Sequence, residues 1–191
     1  MMPRNSTRLL VFAAAVAVTA CGALKPPKAQ FAPIYTSPVI YALNGAAPGT
    51  PSGISFLTGS GVVVAANFYF NVALDIDSAG KVVILPAQRV ANGLSTALSV
   101  GLQPVTGTFD EYMQARKTGY TFDSTLVVPV GQVVAVNVLD NSTCTVYSLG
   151  SSYYAKFIVD SVDLVHRALY TEIVSDANCG YVSLGPGVPT K

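Results

Sequence analysis

Any chemistry in this chain has to come from few parts: one histidine, three cysteines, ten carboxylates and no tryptophan. A Ser-His-Asp triad would have to use His166, which lies in "DSVDLVHRAL" with Asp160 and Asp163 beside it. No G-x-S-x-G elbow occurs, and a triad is a matter of geometry, so the spacing favours a solvated histidine in a hairpin turn. Asp75 and Asp77, in "DIDSAG", match the first half of a D-x-D-x-x-G calcium loop. A complete loop needs more oxygen ligands and a terminal bidentate glutamate, where this chain has Lys81 and an apolar run. The competing assignment makes Asp77 a turn residue and Gly80 the residue with positive φ. Asp110, Glu111, Asp123 and Glu172 could pair as the acid and base of a glycosidase. The structural reading puts Asp110 and Glu111 at a helix start, Asp123 before a strand and Glu172 on a solvated strand face. Phosphate-binding glycine patterns are absent. Tyr112, Tyr120, Tyr147, Tyr153, Tyr154, Tyr170 and Tyr181 suit either strands with one wet side or a recognition surface.

The elements that must position these residues read as short strands between turns. "SPVIYALNG" offers a first strand ended by Asn44-Gly45, and "GISFLTGSG" a short edge strand. A long strand from Val62 to Ile76, a turn over 77–80 and a return strand from Lys81 to Leu85 form the strongest unit. Phe68, Phe70, Val72, Leu74 and Ile76 share one face by the period of two, with Tyr69 and Ala73 on the other. Both faces are apolar, which puts this hairpin inside a sandwich. Further strands are expected at 97–102, 125–130, 132–139, 143–149, 153–162 and 167–174. In "TGTFDEYMQARKTGY", Thr108 and Glu111 fit a capping box, which predicts one short helix near 109–117.

The N-terminus carries a different signal. Arg4 and Arg8 precede an apolar run from Leu9 to Val18, about 10 residues, right for a secretory signal and short of a bilayer span. Val18-Thr19-Ala20-Cys21 then resembles the lipobox of bacterial lipoproteins. That resemblance implies cleavage before Cys21 and acylation (palmitate or a similar chain) of its thiol. Gly22, rather than aspartate, implies sorting to an outer membrane, with the domain periplasmic or surface-exposed. Several acyl chains on one cysteine make such an anchor stable. With Cys21 lipidated, Cys144 and Cys179 remain as an even pair in an oxidising compartment. A disulfide would close a loop worth roughly 3–4 kcal/mol. The alternative, a two-thiolate metal site, would need carboxylates, since there is no CxxC and only one histidine.

Without residues 1–20 the chain keeps nine Lys/Arg against ten Asp/Glu. Such a balance cannot supply the basic stripe that nucleic acid requires. Residues 21–38 hold four prolines and read as a lipidated tether. Residues 39–185 read as one all-β antiparallel sandwich, Ig-like or jelly-roll in style, and 186–191 as a frayed tail. The C-terminal cadence "YAKFIVDSVD", "NCGY", "PGVP" is similar to that of uncharacterised exported bacterial proteins, which implies an intact domain and adds nothing on function. The expectation is a lipid-anchored envelope protein without a cofactor. Its role is non-enzymatic binding, adhesion or structure, and its partner an envelope protein or a glycan. A cryptic envelope enzyme or carbohydrate-binding protein is the alternative. A membrane barrel fits the length but not the continuous apolar runs or the missing aromatic girdles.

Overall fold

Alternating apolar and small residues, broken every few positions by Gly, Pro, Asn or Asp, leave the chain little choice but short antiparallel strands. The computed structural model describes residues 27–65, 69–90, 98–145 and 148–190. Among these residues there are twelve strands: β1 (Ile34–Thr36), β2 (Val39–Tyr41), β3 (Gly53–Ser55), β4 (Ser60–Val62), β5 (Val72–Ile76), β6 (Val82–Pro86), β7 (Leu98–Pro104), β8 (Thr121–Phe122), β9 (Leu126–Val128), β10 (Val134–Asp140), β11 (Ser152–Asp163) and β12 (Ala168–Asp176). A single helical turn, α1 (Ala87–Val90), follows β6.

One sheet runs β1-β12-β11-β10-β7-β8, with β2 also paired to β12, and the other runs β4-β3-β5-β6-β9. Every pairing is antiparallel. Their inner faces form one core: Ile54, Phe56, Val72, Leu74 and Ile84 meet Val100, Val136, Val138, Phe157 and Ile173. The rings of Phe56 and Phe157 lie 5.6 Å apart across the layers. The fold is the all-β sandwich expected. Phe70, Val72, Leu74 and Ile76 are buried on the face that the period of two assigns them, whereas Phe68 lies outside the described residues.

A third layer departs from a plain sandwich. Residues 105–120 and 181–185 lie on the outer face of the larger sheet, burying Tyr154, Val174, Val133 and Ala135. Gly101 shows how closely this layer approaches: a Cβ there would sit 2.8 Å from the Tyr120 Cβ. Lys156 is caught underneath, donating to the Phe109 carbonyl with its ammonium 4.3 Å from the Phe109 ring centre. Burial lowers its pKa, opposed by the carboxylates of Asp110 and Glu172.

The cover overturns the helix expected near 109–117. The capping box forms, with the Thr108 amide donating to Glu111 Oε2 at 3.1 Å and the Glu111 amide to Thr108 Oγ1 at 3.4 Å. No helix follows, because the next backbone groups pair with the C-terminal segment. The Ala115 amide donates to Val182 O and the Leu184 amide to Met113 O, both at 2.8 Å, around a Gln114–Ser183 bridge. Among the described residues the one helical turn is α1. Three further differences follow from side-chain and long-range pairing. The span read as one strand from Val62 to Ile76 ends β4 at Val62 and starts β5 at Val72. Thr143 and Cys144 lie in a turn rather than a strand, and Val146 and Tyr147 fall outside the described residues. Residues 34–36, within the segment read as tether, form β1 against β12.

Candidate functional site at the hairpin end

The β11–β12 hairpin turns through Leu164–Arg167, and Arg167 takes a left-handed conformation, φ +55°. A long side chain rarely adopts that region without compensation. Here Arg167 Nη2 donates to Asp75 Oδ1 at 2.9 Å and to Ile76 O at 3.1 Å, and Nε donates to Asn44 O at 3.0 Å. Those bonds fasten the turn to the other sheet. They also settle the use of the "DIDSAG" aspartates. Asp75 is the ion-pair partner of Arg167, and Asp77 Oδ1 accepts from the amides of Ala79 and Lys81 at 2.9 and 2.8 Å. The first is a strut and the second closes the turn, with Gly80 at φ +74°. Among the described residues no three His, Cys, Asp or Glu side chains are grouped to hold a metal ion.

On the outward face beside this turn, strand register builds a row. Ala168 of β12 stands between Tyr41 of β2 and Asp163 of β11. The next outward residue of β12, Tyr170, faces Val39 and Ser161. The two tyrosines therefore lie diagonally across paired strands, about 7–8 Å apart at this spacing, with a small alanine between them. Together with Thr50, Asp163 and His166 they line an open cleft of about 360 Å³. Tyr170 is 45% exposed although most of the same sheet face is covered.

The polar side of the cleft is ordered. His166 Nδ1 lies 2.6 Å from Asp163 Oδ2, while Asp163 Oδ1 accepts from the amides of Val165 and His166 at 2.8 and 3.0 Å. The bonds from the His166 ring and amide hold the Asp163 carboxyl below the usual carboxylate range. A histidine–aspartate pair is two-thirds of a triad, but the Thr50 hydroxyl donates to Ala47 O at 2.8 Å. The other carboxylates weighed in the sequence do not come together. Asp110 and Glu111 lie in the cover, Glu172 is exposed on β12, and Asp160 is exposed where β11 changes register. Asp123 sits at the end of β8, its carboxylate accepting from Ser99 Oγ at 2.6 Å and the Val100 amide at 3.0 Å.

The opposite end of the sandwich holds what sequence reading missed. Asp140 is 1% exposed, yet its carboxylate accepts from Tyr69 OH at 2.7 Å, Thr143 Oγ1 at 2.7 Å and the Ser142 and Thr143 amides at 2.9 and 3.1 Å. Burial alone would raise its pKa; the hydrogen bonds from Ser142, Tyr69 and Thr143 overcome this and bring it down to about 2. Tyr69 in turn contacts Tyr153 OH at 3.0 Å and Asn71 Nδ2 at 3.3 Å, and its phenol is pushed up to about 12, burial being the largest cause. The available signal was "LDNSTC", where an aspartate followed by Ser and Thr is an Asx-turn sequence. Beyond it Cys144 is disulfide-bonded to Cys179 with Cα atoms 5.6 Å apart. Asn178, 8% exposed, accepts from the Gln30 and Phe31 amides at 2.7 and 3.3 Å and donates to Phe31 O at 2.8 Å.

The predicted tyrosines divide between these regions. Tyr153 is in the core, Tyr112 and Tyr120 belong to the cover, Tyr154 of β11 is buried beneath it, and Tyr181 donates to Pro27 O at 2.8 Å. Among the described tyrosines of that group, Tyr170 alone reaches the hairpin cleft, where Tyr41 joins it; Tyr147 lies outside the described residues. Compared with protein families, curated proteins and solved structures, the chain matches none.

Proposed function

We propose that this chain is a lipid-anchored cell-envelope protein whose sandwich is a non-enzymatic binding module, engaging an envelope glycan at the hairpin end. The observation that carries the reading is the tyrosine pair, Tyr41 and Tyr170, beside the ordered Asp163–His166 pair. Aromatic faces cover the apolar C–H faces of a sugar ring, and neighbouring polar groups orient ligand hydroxyls. A cleft of about 360 Å³ lies within the usual range for a small-ligand site. The anchor rests on the lipobox-like Val18-Thr19-Ala20-Cys21.

The test is capture from native envelope by the full, processed protein and by its Tyr41→Ala/Tyr170→Ala variant. Saccharide retained by the wild type and lost from the variant is the expected result. Equal retention, or capture of protein alone by both, overturns the glycan reading. Fatty-acid labelling of the wild type and of Cys21→Ser checks the anchor, and undiminished labelling of Cys21→Ser overturns it.

A further inference from the structure

The end opposite the binding cleft has a chemical character of its own. Two adjoining clefts there share Leu149 and Tyr181; one also carries Lys28 and Phe31, the other Lys117, and neither is lined by a carboxylate. Phe31 is 63% exposed. The two aspartates nearest these clefts, Asp140 and Asp176, are buried. Asp123, at the same end of β7, has its carboxylate bonded to Ser99 and Val100 and its carbonyl to Arg89. Asp75, Asp77, Asp160 and Asp163 instead gather around the β5–β6 and β11–β12 turns, while Asp110 and Glu111 lie over the middle of the sheet. The two ends therefore differ: one presents Lys28, Lys117 and an exposed phenyl ring, with its aspartates buried or hydrogen-bonded, while the other gathers four aspartates around Lys81 and Arg167, and Glu172 lies exposed on β12 between them.

We infer that the Phe31–Lys28–Lys117 end rests on an anionic bilayer surface, so that the domain is docked rather than held off on a tether. The inference rests on the lipid-anchor reading for its attachment point. Pro27, the first described residue, is held by Tyr181, and the chain is fixed again at Gln30 and Phe31 by Asn178. Cys21 precedes Pro27 by six residues, so the acylated residue reaches at most about 20 Å from this end. β12 runs nine residues away from it toward the hairpin, about 27 Å. The bilayer is thus within reach of the lysine end, and the glycan cleft faces away from it. Phenylalanine settles in the headgroup region, and each lysine near an anionic surface strengthens attachment.

Because the chain has no tryptophan, single reporters can be placed at will. Full-length Phe31→Trp and Val165→Trp, processed and purified, are reconstituted into vesicles of phosphatidylethanolamine and phosphatidylglycerol with brominated acyl chains. Val165, at the hairpin tip, is 86% exposed. Phe31→Trp is expected to lose most of its fluorescence while Val165→Trp keeps its own. Lys28→Gln and Lys117→Gln each weaken surface attachment about fivefold, and together restore Phe31→Trp emission. Equal quenching at the two positions overturns the inference, as does quenching indifferent to both lysines. Intact mass of the same samples reads the anchor separately. If Cys21 carries no acyl chain, the anchor fails, and quenching of Phe31→Trp still decides for or against the surface contact.

Discussion

The outward face of β12 passes through two different worlds in nine residues. At one end Asp176 and Val174 are shut beneath the cover formed by 105–120 and 181–185; at the other Tyr170 is open to solvent. Polar groups at the covered end are buried and almost fully partnered, as Asp140, Asn71 and Asn178 are. Their arrangement is that of a lock, because a buried acceptor left without its donors costs more than a typical hydrogen bond gains. At the hairpin end His166 is exposed and Asp163 half-buried, and their bonds hold a shape without excluding water. Buried polar order and exposed polar order thus do different work here: the first fixes residues 30–31 and the 141–144 turn to the sandwich, the second presents a surface.

Removing the lock should show the larger effects. Cys144→Ala/Cys179→Ala is expected to lose about 3–4 kcal/mol, read as a fall in the thermal midpoint of roughly 6–16 °C for a chain of this size. An unchanged midpoint would break the distinction between the two ends. Asp140 comes next and brings a pH signature. Its folded pKa, about 2, lies below the ordinary value near 3.9, so its contribution is complete above about pH 4. That contribution, about 2 kcal/mol, is lost as pH falls toward 2. Urea titrations at several pH values should therefore show Asp140→Asn less stable than wild type at pH 6, with a shallower acid slope. Asp176 carries the opposite sign: burial raises its pKa, so its contribution falls as pH rises past the ordinary carboxylate value. Asp176→Asn should remove that decline.

The comparison also explains what could be read from sequence. The sandwich was legible because period-two apolar patterning and turn residues act locally, as in Val72–Ile76, the 77–80 turn and Val82–Pro86. The disulfide was legible through cysteine arithmetic. The cover was not, since its hydrogen bonds join 113–115 to 182–184 and local signals at Thr108 and Glu111 pointed to a helix. Likewise β1 is a strand only because β12 lies beside it. Half of the cleft was in view: Asp163, His166 and Tyr170 were singled out, each with a bland assignment. Tyr41 and Thr50 join them through pairing with β2, which leaves no trace at their own positions in the sequence.

The smallest stability effect sharpens the contrast most. His166→Ala and Tyr170→Ala alter side chains that are exposed or nearly half exposed, so each should shift unfolding free energy by about 0.5 kcal/mol or less. Among the described residues Tyr170 is part of none of the hydrophobic clusters and the His166 ring is bonded only to Asp163, whose other oxygen keeps its amide donors. Circular dichroism and urea midpoints of both variants should overlay the wild type. Saccharide retention should nonetheless fall, more for Tyr170→Ala than for His166→Ala, because losing a ring face removes contact area and losing the imidazole removes one polar group. A Tyr170→Phe variant keeps the face and loses only the hydroxyl, so it should retain binding that Tyr170→Ala loses. If Tyr170→Ala instead destabilises the fold as much as Asp140→Asn does, the hairpin end is another lock, and the tyrosine pair belongs to the scaffold.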